Sequence, residues 1–269
     1  GKTILFINTA LFQQEIVRNW KHIYSECDGL QQSPVNIKTK NTTYNSLLRP
    51  FQFKGYNVTH TLPITNNGHS VQVDLPTQAH ISGGGLSGVY KAKQLHFHWG
   101  SAGVAGSEHT VDGERYLMEL HVVHRRNAMN EENISISNED LAVLGFFFEV
   151  RGLPYELLQP YSIKEQFFSL GDTTCLNLTL QEFIPEPKDL ALYYRYQGSL
   201  TTPPCSEIVT WTLVVPFTSK TIISWGWLFI GRLNPINVWS YLNPAHSPEE
   251  GRSEIHKPCM CRQFSKCSV

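Results

Sequence analysis

Apolar residues in this chain come in short runs broken by Gly, Pro and Asn, and seldom at the three-to-four spacing that a helix face requires. Such runs build strands. The pattern predicts strands at residues 71–75, 93–99, 116–123, 141–150 and 208–215. The last two are apolar on both faces for much of their length, which predicts central strands covered on either side. Asn66-Asn67-Gly68 and Gly83-Gly84-Gly85 supply turns where positive φ costs little. Asp112-Gly113 falls between the second and third strands, which suits antiparallel neighbours. The expectation is a β-rich domain, with no internal repeat or low-complexity tract to mark a boundary before residue 217.

The chain has 269 residues and 41% hydrophobic content, enough for a packed core and too much for a disordered chain. Lys and Arg total 22 against 23 Asp and Glu, so no basic field favours nucleic acid or an anionic membrane. The longest apolar stretches, residues 3–12, 141–148 and 222–230, are shorter than the roughly 20 residues of a bilayer span, and no transmembrane segment is expected. Residues 4–12 lack a basic n-region of any length and do not read as an intact signal peptide. Six cysteines, Cys27, Cys175, Cys205, Cys259, Cys261 and Cys267, are too scattered for a paired C-x-x-C metal knuckle, and spacing alone does not connect them. Glycosylation sequons stand at Asn41, Asn57, Asn133 and Asn177.

Chemistry enters with the histidines. Gln94-Leu95-His96-Phe97-His98-Trp99 puts two imidazoles at i and i+2, on one face of a strand. The same period aligns Glu119, His121 and Val123 on one face of the following strand, so a third imidazole can converge on the first two. Three neutral histidines leave the fourth tetrahedral position of a zinc ion open, the arrangement of a catalytic rather than a structural site. The competing reading, unrelated core or surface histidines among the 11 present, stays open on spacing alone.

Seven segments together resemble the α-carbonic anhydrase family. They are Gln32-Ser33-Pro34-Val35-Asn36-Ile37, Asn67-Gly68-His69, Gln94 to Trp99, Gly106-Ser107-Glu108-His109-Thr110, Glu119 to His124, Leu141-Ala142-Val143-Leu144-Gly145, and Gly198-Ser199-Leu200-Thr201-Thr202-Pro203-Pro204. Their order and approximate spacing are also the family's, from about Trp20 to Phe217. The resemblance implies an α+β, β-rich single domain, with a large twisted, mostly antiparallel sheet and a few short surface helices. It implies zinc-dependent reversible hydration of carbon dioxide to bicarbonate and a proton, by attack of zinc-bound hydroxide, with sulfonamides and anions as inhibitors.

Carried over position by position, it makes His96, His98 and His121 the Zn²⁺ ligands, with Gln94 and Glu119 holding His96 and His121 from behind. Thr201 becomes the residue that orients the attacking oxygen while donating its proton to Glu108, and Thr202 part of the substrate and product site. Val123, Val143, Leu200, Val209 and Trp211 match the family's apolar wall for carbon dioxide, although residues alone would place them in ordinary core. His69 matches the proton shuttle, and Asn67 a residue that orders the water chain leading to it. Cys27 and Cys205 match a bridge of extracellular members, and residues 81–86 look like the same branch, which implies a secreted or cell-surface anchored protein.

The resemblance stops at both ends. Residues 1–19 lack the family's aromatic opening, residues 20–217 form the expected catalytic domain, and residues 218–269 depart from the pattern that should close the sheet and hold His98. That departure keeps two other readings in play, a carbonic-anhydrase-like binding module and a catalytically incompetent variant. His256, Cys259, Cys261 and Cys267 form too loose a pattern to favour a second zinc site over free thiols or an interchain disulfide.

Overall fold

The two runs that are apolar on both faces lie side by side in the middle of the sheet. In the computed structural model, which describes residues 20–67, 70–100, 105–127, 139–148, 173–185, 189–214 and 259–260, Leu141–Phe148 and Val209–Val214 form a parallel pair. Val209–Val214 is buried throughout, and Leu141–Phe148 at every position but its first. Burial on both faces is what a near-continuous apolar strand requires.

The described residues form a 12-stranded sheet. Its main path runs Thr173–Thr179, Thr59–Asn66, Val71–Asp74, Tyr90–Trp99, Met118–Arg126, Leu141–Phe148, Val209–Val214, Tyr193–Gly198, Cys259–Met260 and Thr43–Tyr44. Phe51–Lys54 and His80–Gly83 pair with each other, and the latter also joins Tyr90–Trp99. Antiparallel pairs dominate. Parallel pairing occurs within this sheet at the central pair and between Cys259–Met260 and Thr43–Tyr44. Short 3₁₀ turns at Ser25–Asp28, Thr39–Asn41, Leu180–Phe183 and Asp189–Ala191 complete the β-rich fold.

All five predicted strands are present, with shifted ends: Val71–Asp74, Tyr90–Trp99, Met118–Arg126, Leu141–Phe148 and Val209–Val214. Residues 149, 150 and 215 lie outside the described residues. The second and third are antiparallel neighbours, as expected. The Asp112-Gly113 turn, with φ of 50° and 85°, closes a separate small hairpin between Thr110–Val111 and Glu114–Arg115. Periodicity did not disclose Thr59–Asn66, Thr173–Thr179 or Tyr193–Gly198. Thr59–Asn66 carries Pro63, which demotes a run in any strand reading.

The sheet separates two clusters. One face carries Val73, Leu95, Phe97, Leu120, Val122, Leu144 and Phe146 into the larger core. The other, the face of His96, His98 and His121, packs Val35, Ile37, Val143, Tyr196, Val209 and Trp211. The period of two therefore gives Tyr90–Trp99 and Met118–Arg126 an apolar side that anchors them and a second side that carries the histidines.

Candidate active site

Cross-strand register assembles the three histidines. His121 lies directly opposite His96, and Glu119 directly opposite His98, on adjacent antiparallel strands. Ring centroids are 5.0 Å apart for His96 and His98, 5.1 Å for His96 and His121, and 4.6 Å for His98 and His121. One ring nitrogen of each lies within 4.8 Å of those of the other two.

The backs of two rings are held. His96 Nδ1 donates to Gln94 Oε1 at 2.7 Å, and His121 Nε2 donates to Glu119 Oε1 at 2.7 Å, since an amide oxygen and a carboxylate can only accept. These bonds leave the lone pairs of His96 Nε2 and His121 Nδ1 turned toward each other at 3.3 Å. Two acceptors at that distance repel unless a cation sits between them. His98 Nε2 and Glu108 Oε2 are buried without a hydrogen-bond partner, 3.4 Å apart, and Glu108 Oε2 is 3.9 Å from His121 Nδ1. Orphaned polar atoms thus surround one point, and the donor set fits a metal ion there.

Charge states agree with that fit. Burial lowers His96 to about 3 and also lowers His98 and His121, so all three imidazoles are neutral near pH 7, the form that binds a metal. For Glu119 burial alone would raise the carboxyl, but the neighbouring His109 and His121 outweigh it and hold it well below the usual range. Its Oε2 accepts the backbone N–H groups of Glu108 and His109, each at 2.9 Å, and its Oε1 also accepts His109 Nδ1 at 2.7 Å. Burial, then the Glu119 charge, push Glu108 well above the carboxyl range against the hydrogen bond from Thr201. A cation at the imidazole cluster would oppose that push.

Several residues that organise this site escaped sequence reasoning. His109 Nε2 accepts the Tyr196 hydroxyl at 2.6 Å, and Tyr196 in turn accepts from Ser33 Oγ at 2.9 Å. Ser33 and Ser199 exchange bonds, Ser33 N–H to Ser199 Oγ at 2.9 Å and Ser199 N–H to Ser33 Oγ at 3.0 Å. A directed chain therefore runs from the Thr201 loop to Glu119. Gly145 stands opposite His121 in register, and a Cβ there would meet Leu213 Cδ2 at 2.5 Å and Glu119 Oε1 at 3.3 Å. His109 and Gly145 lie inside segments that carried the family resemblance, yet no periodicity marks their roles.

The remaining expected residues fall as follows. Val123, Val143, Leu200, Val209 and Trp211 belong to one apolar cluster, with Val123 and Leu200 the partly exposed members. Trp211 packs edge-on to His121 at 4.8 Å. Thr201 is partly buried and Thr202 is exposed. Asn67 caps the turn into Val71–Asp74 by accepting the Ser70 N–H at 2.8 Å, and its Nδ2 is 3.4 Å from Gln72 Oε1, whose residue pairs with His96. His69 and residues 215–258 and 261–269 lie outside the described residues. Cys27 and Cys205 are joined in a disulfide with a Cα separation of 4.9 Å, and Cys175 is free and exposed. No described helix is long and apolar enough to cross a membrane.

A large, mostly antiparallel sheet that gathers three imidazoles beside an apolar wall and a buried carboxyl defines a class: β-sheet proteins with a three-histidine site able to hold a metal. The model of the eukaryotic-type carbonic anhydrase family matches residues 15–222, and the chain belongs to that family. It is 41% identical over 191 residues to carbonic anhydrase 4 of Rattus norvegicus, covering 70% of this chain and 62% of the relative. It is 40% identical over 204 residues to carbonic anhydrase 6 of Bos taurus, covering 73% and 63%. With carbonic anhydrase 12 of Homo sapiens it shares 38% over 201 residues, covering 72% and 56%. The chain thus spans less than two thirds of the length of these relatives.

Proposed function

We propose that the chain catalyses reversible hydration of carbon dioxide to bicarbonate and a proton, at a Zn²⁺ held by His96 Nε2, His98 Nε2 and His121 Nδ1 within a catalytic domain of residues 20–217. The observation that carries this reading is the convergence of those buried nitrogens beside the bond between Thr201 and Glu108. Zinc, when bound, supplies a Lewis acid that lowers the pKa of a coordinated water to about 7, the value established for carbonic anhydrases as a class.

The chain's own residues do the rest. Gln94 and Glu119 fix the tautomers of His96 and His121, and through them the direction of the lone pairs. The Thr201 hydroxyl donates its one hydrogen bond to Glu108, so toward the reacting water its oxygen can only accept, which fixes that water's orientation. Val123, Val143, Leu200, Val209 and Trp211 offer carbon dioxide, which has no net dipole, an apolar wall, and Thr202 borders the product. His69 takes the released proton to buffer through water ordered by Asn67, since histidine is the side chain whose ordinary ionisation falls near neutral pH. The Cys27–Cys205 bridge supports an extracellular location, secreted or at the cell surface, because such bonds persist in oxidising compartments.

The test is zinc content per purified chain together with the rate of carbon dioxide hydration. Stoichiometric zinc and catalysed hydration are expected; a zinc-free chain, or a zinc-loaded one no faster than buffer, would refute the assignment.

A further inference from the structure

The disulfide is not the sole tie between the chain's early segment and the loop that carries Thr201. Glu207, two residues past Cys205, turns back so that its Oε1 accepts the Gln31 N–H at 2.6 Å and Gln32 Nε2 at 3.0 Å. Gln32 Nε2 also lies 3.0 Å from the Glu26 carbonyl and 3.2 Å from the Cys205 carbonyl, so it spans both strands of the seam. Ser206 Oγ donates to the Glu26 carboxylate.

Gly29 marks the same position independently. A Cβ there would fall 2.1 Å from Glu207 Oε1 and 2.7 Å from its Cδ, so the carboxylate occupies a slot that a glycine leaves open. The loop beyond is closed on itself. Leu200 N–H donates to the Ser206 carbonyl at 3.1 Å and Cys205 N–H to the Thr202 carbonyl at 2.9 Å, which places Thr201 between two residues pinned to positions 205 and 206. Glu207 thus directly follows the two residues, Cys205 and Ser206, to which the backbone on either side of Thr201 is bonded.

We propose that Glu207, seated against Gly29 and bonded to Gln31 and Gln32, is a positioning residue for Thr201 beside the Cys27–Cys205 bridge. The role rests on the hydration reaction proposed above. It predicts that a polar clasp keeps the loop in place when the disulfide is open.

The experiment measures kcat/KM for carbon dioxide hydration in the zinc-loaded full chain. Glu207→Ala and Gly29→Ala should each lower it by about tenfold, by misplacing a group that orients the reacting water. Glu207→Gln retains an oxygen acceptor and should recover most of the loss. In a Thr201→Ala background, Glu207→Ala should have no further effect, because the residue it positions has been removed. Equal losses in both backgrounds would reveal a merely structural role and overturn the proposal. If Glu207→Ala does not fold, the contrast between Glu207→Gln and Gly29→Ala decides: equal activity in the two overturns it. A wild-type chain that binds zinc without hydrating carbon dioxide refutes the reaction instead. Amide exchange then tests the clasp, and unchanged protection of the Leu200 and Cys205 N–H groups in Gly29→Ala overturns it.

Discussion

His98 Nε2 and Glu108 Oε2 face each other at 3.4 Å, both buried and both without a hydrogen-bond partner. A pair left in that state costs stability that a cation beside it would recover. Zinc should therefore raise the melting temperature, because it binds the folded chain in preference to the unfolded one. His96→Ala or His121→Ala should lose both this stabilisation and hydration. Calorimetry with and without zinc, paired with metal analysis, checks this; full zinc occupancy and near-normal rate in either variant would contradict the ligand set.

His69→Ala should reduce kcat in dilute buffer by about tenfold to a hundredfold while sparing kcat/KM, since proton release follows departure of bicarbonate. Added imidazole should restore part of the loss. Wild-type turnover at every buffer concentration would exclude the shuttle role.

Aromatic sulfonamides should inhibit, because a deprotonated sulfonamide nitrogen can take the open metal position and donate its remaining N–H to Thr201. Thr201→Ala should weaken this binding and slow hydration together. Titration of the zinc-loaded chain with an acetazolamide-like compound reads both effects, and no inhibition would mean that the fourth position is closed.

His124 supplies a pH prediction. Burial lowers it to about 4 in the folded chain, where its Nδ1 faces the Ala142 carbonyl at 3.2 Å and its Nε2 meets the Tyr56 hydroxyl. The unfolded chain, with an ordinary imidazole, binds more protons as pH falls through the interval from about 6.5 to 4. This contribution to stability is thus complete above about pH 6.5 and is lost toward pH 4, at about 1.4 kcal/mol per pH unit. Denaturant unfolding at pH 7 and pH 5 should show a shallower pH dependence in His124→Gln than in wild type.

Reduction of the Cys27–Cys205 bond should lower the melting temperature. A bridge spanning 178 positions is worth about 5 kcal/mol in a chain-entropy treatment. Because the Glu207 seam remains, kcat/KM should fall less than stability does. Non-reducing peptide mapping checks the pairing, and free thiols at both positions in active protein would remove it.

Two simple periods made the convergence of the histidines possible to read, and the family resemblance chose it over unrelated histidines. His96 and His98 alternate along one strand, Glu119 and His121 along its neighbour, and register needed only antiparallel pairing to bring them together. Leu141–Phe148 announced its central place by composition alone. The His109, Tyr196 and Ser33 chain was not legible, since its members come from three distant segments and their joining depends on side-chain direction, which spacing does not encode. Thr59–Asn66 was hidden by its polar residues and Pro63, and its pairing with Thr173–Thr179 supplies what its own pattern lacks. The six cysteines left every pairing open on spacing, and the Cys27–Cys205 pair rested on family resemblance.

The reciprocal bonds between Ser33 and Ser199 link residues 166 positions apart, and Gln31 reaches Glu207 across 176. During synthesis the early segment must therefore wait, with Gln31 and Gln32 lacking these acceptors, until 175 or 176 further residues have been made. Contacts of such long sequence separation repay their loop-closure entropy late. The histidine strands, which pair locally, can form before the Thr201 loop closes over them. On the proposed function, metal capture would then be an earlier event in the life of the chain than catalytic competence, because the ligands need only the local pairing and Thr201 needs the distant one.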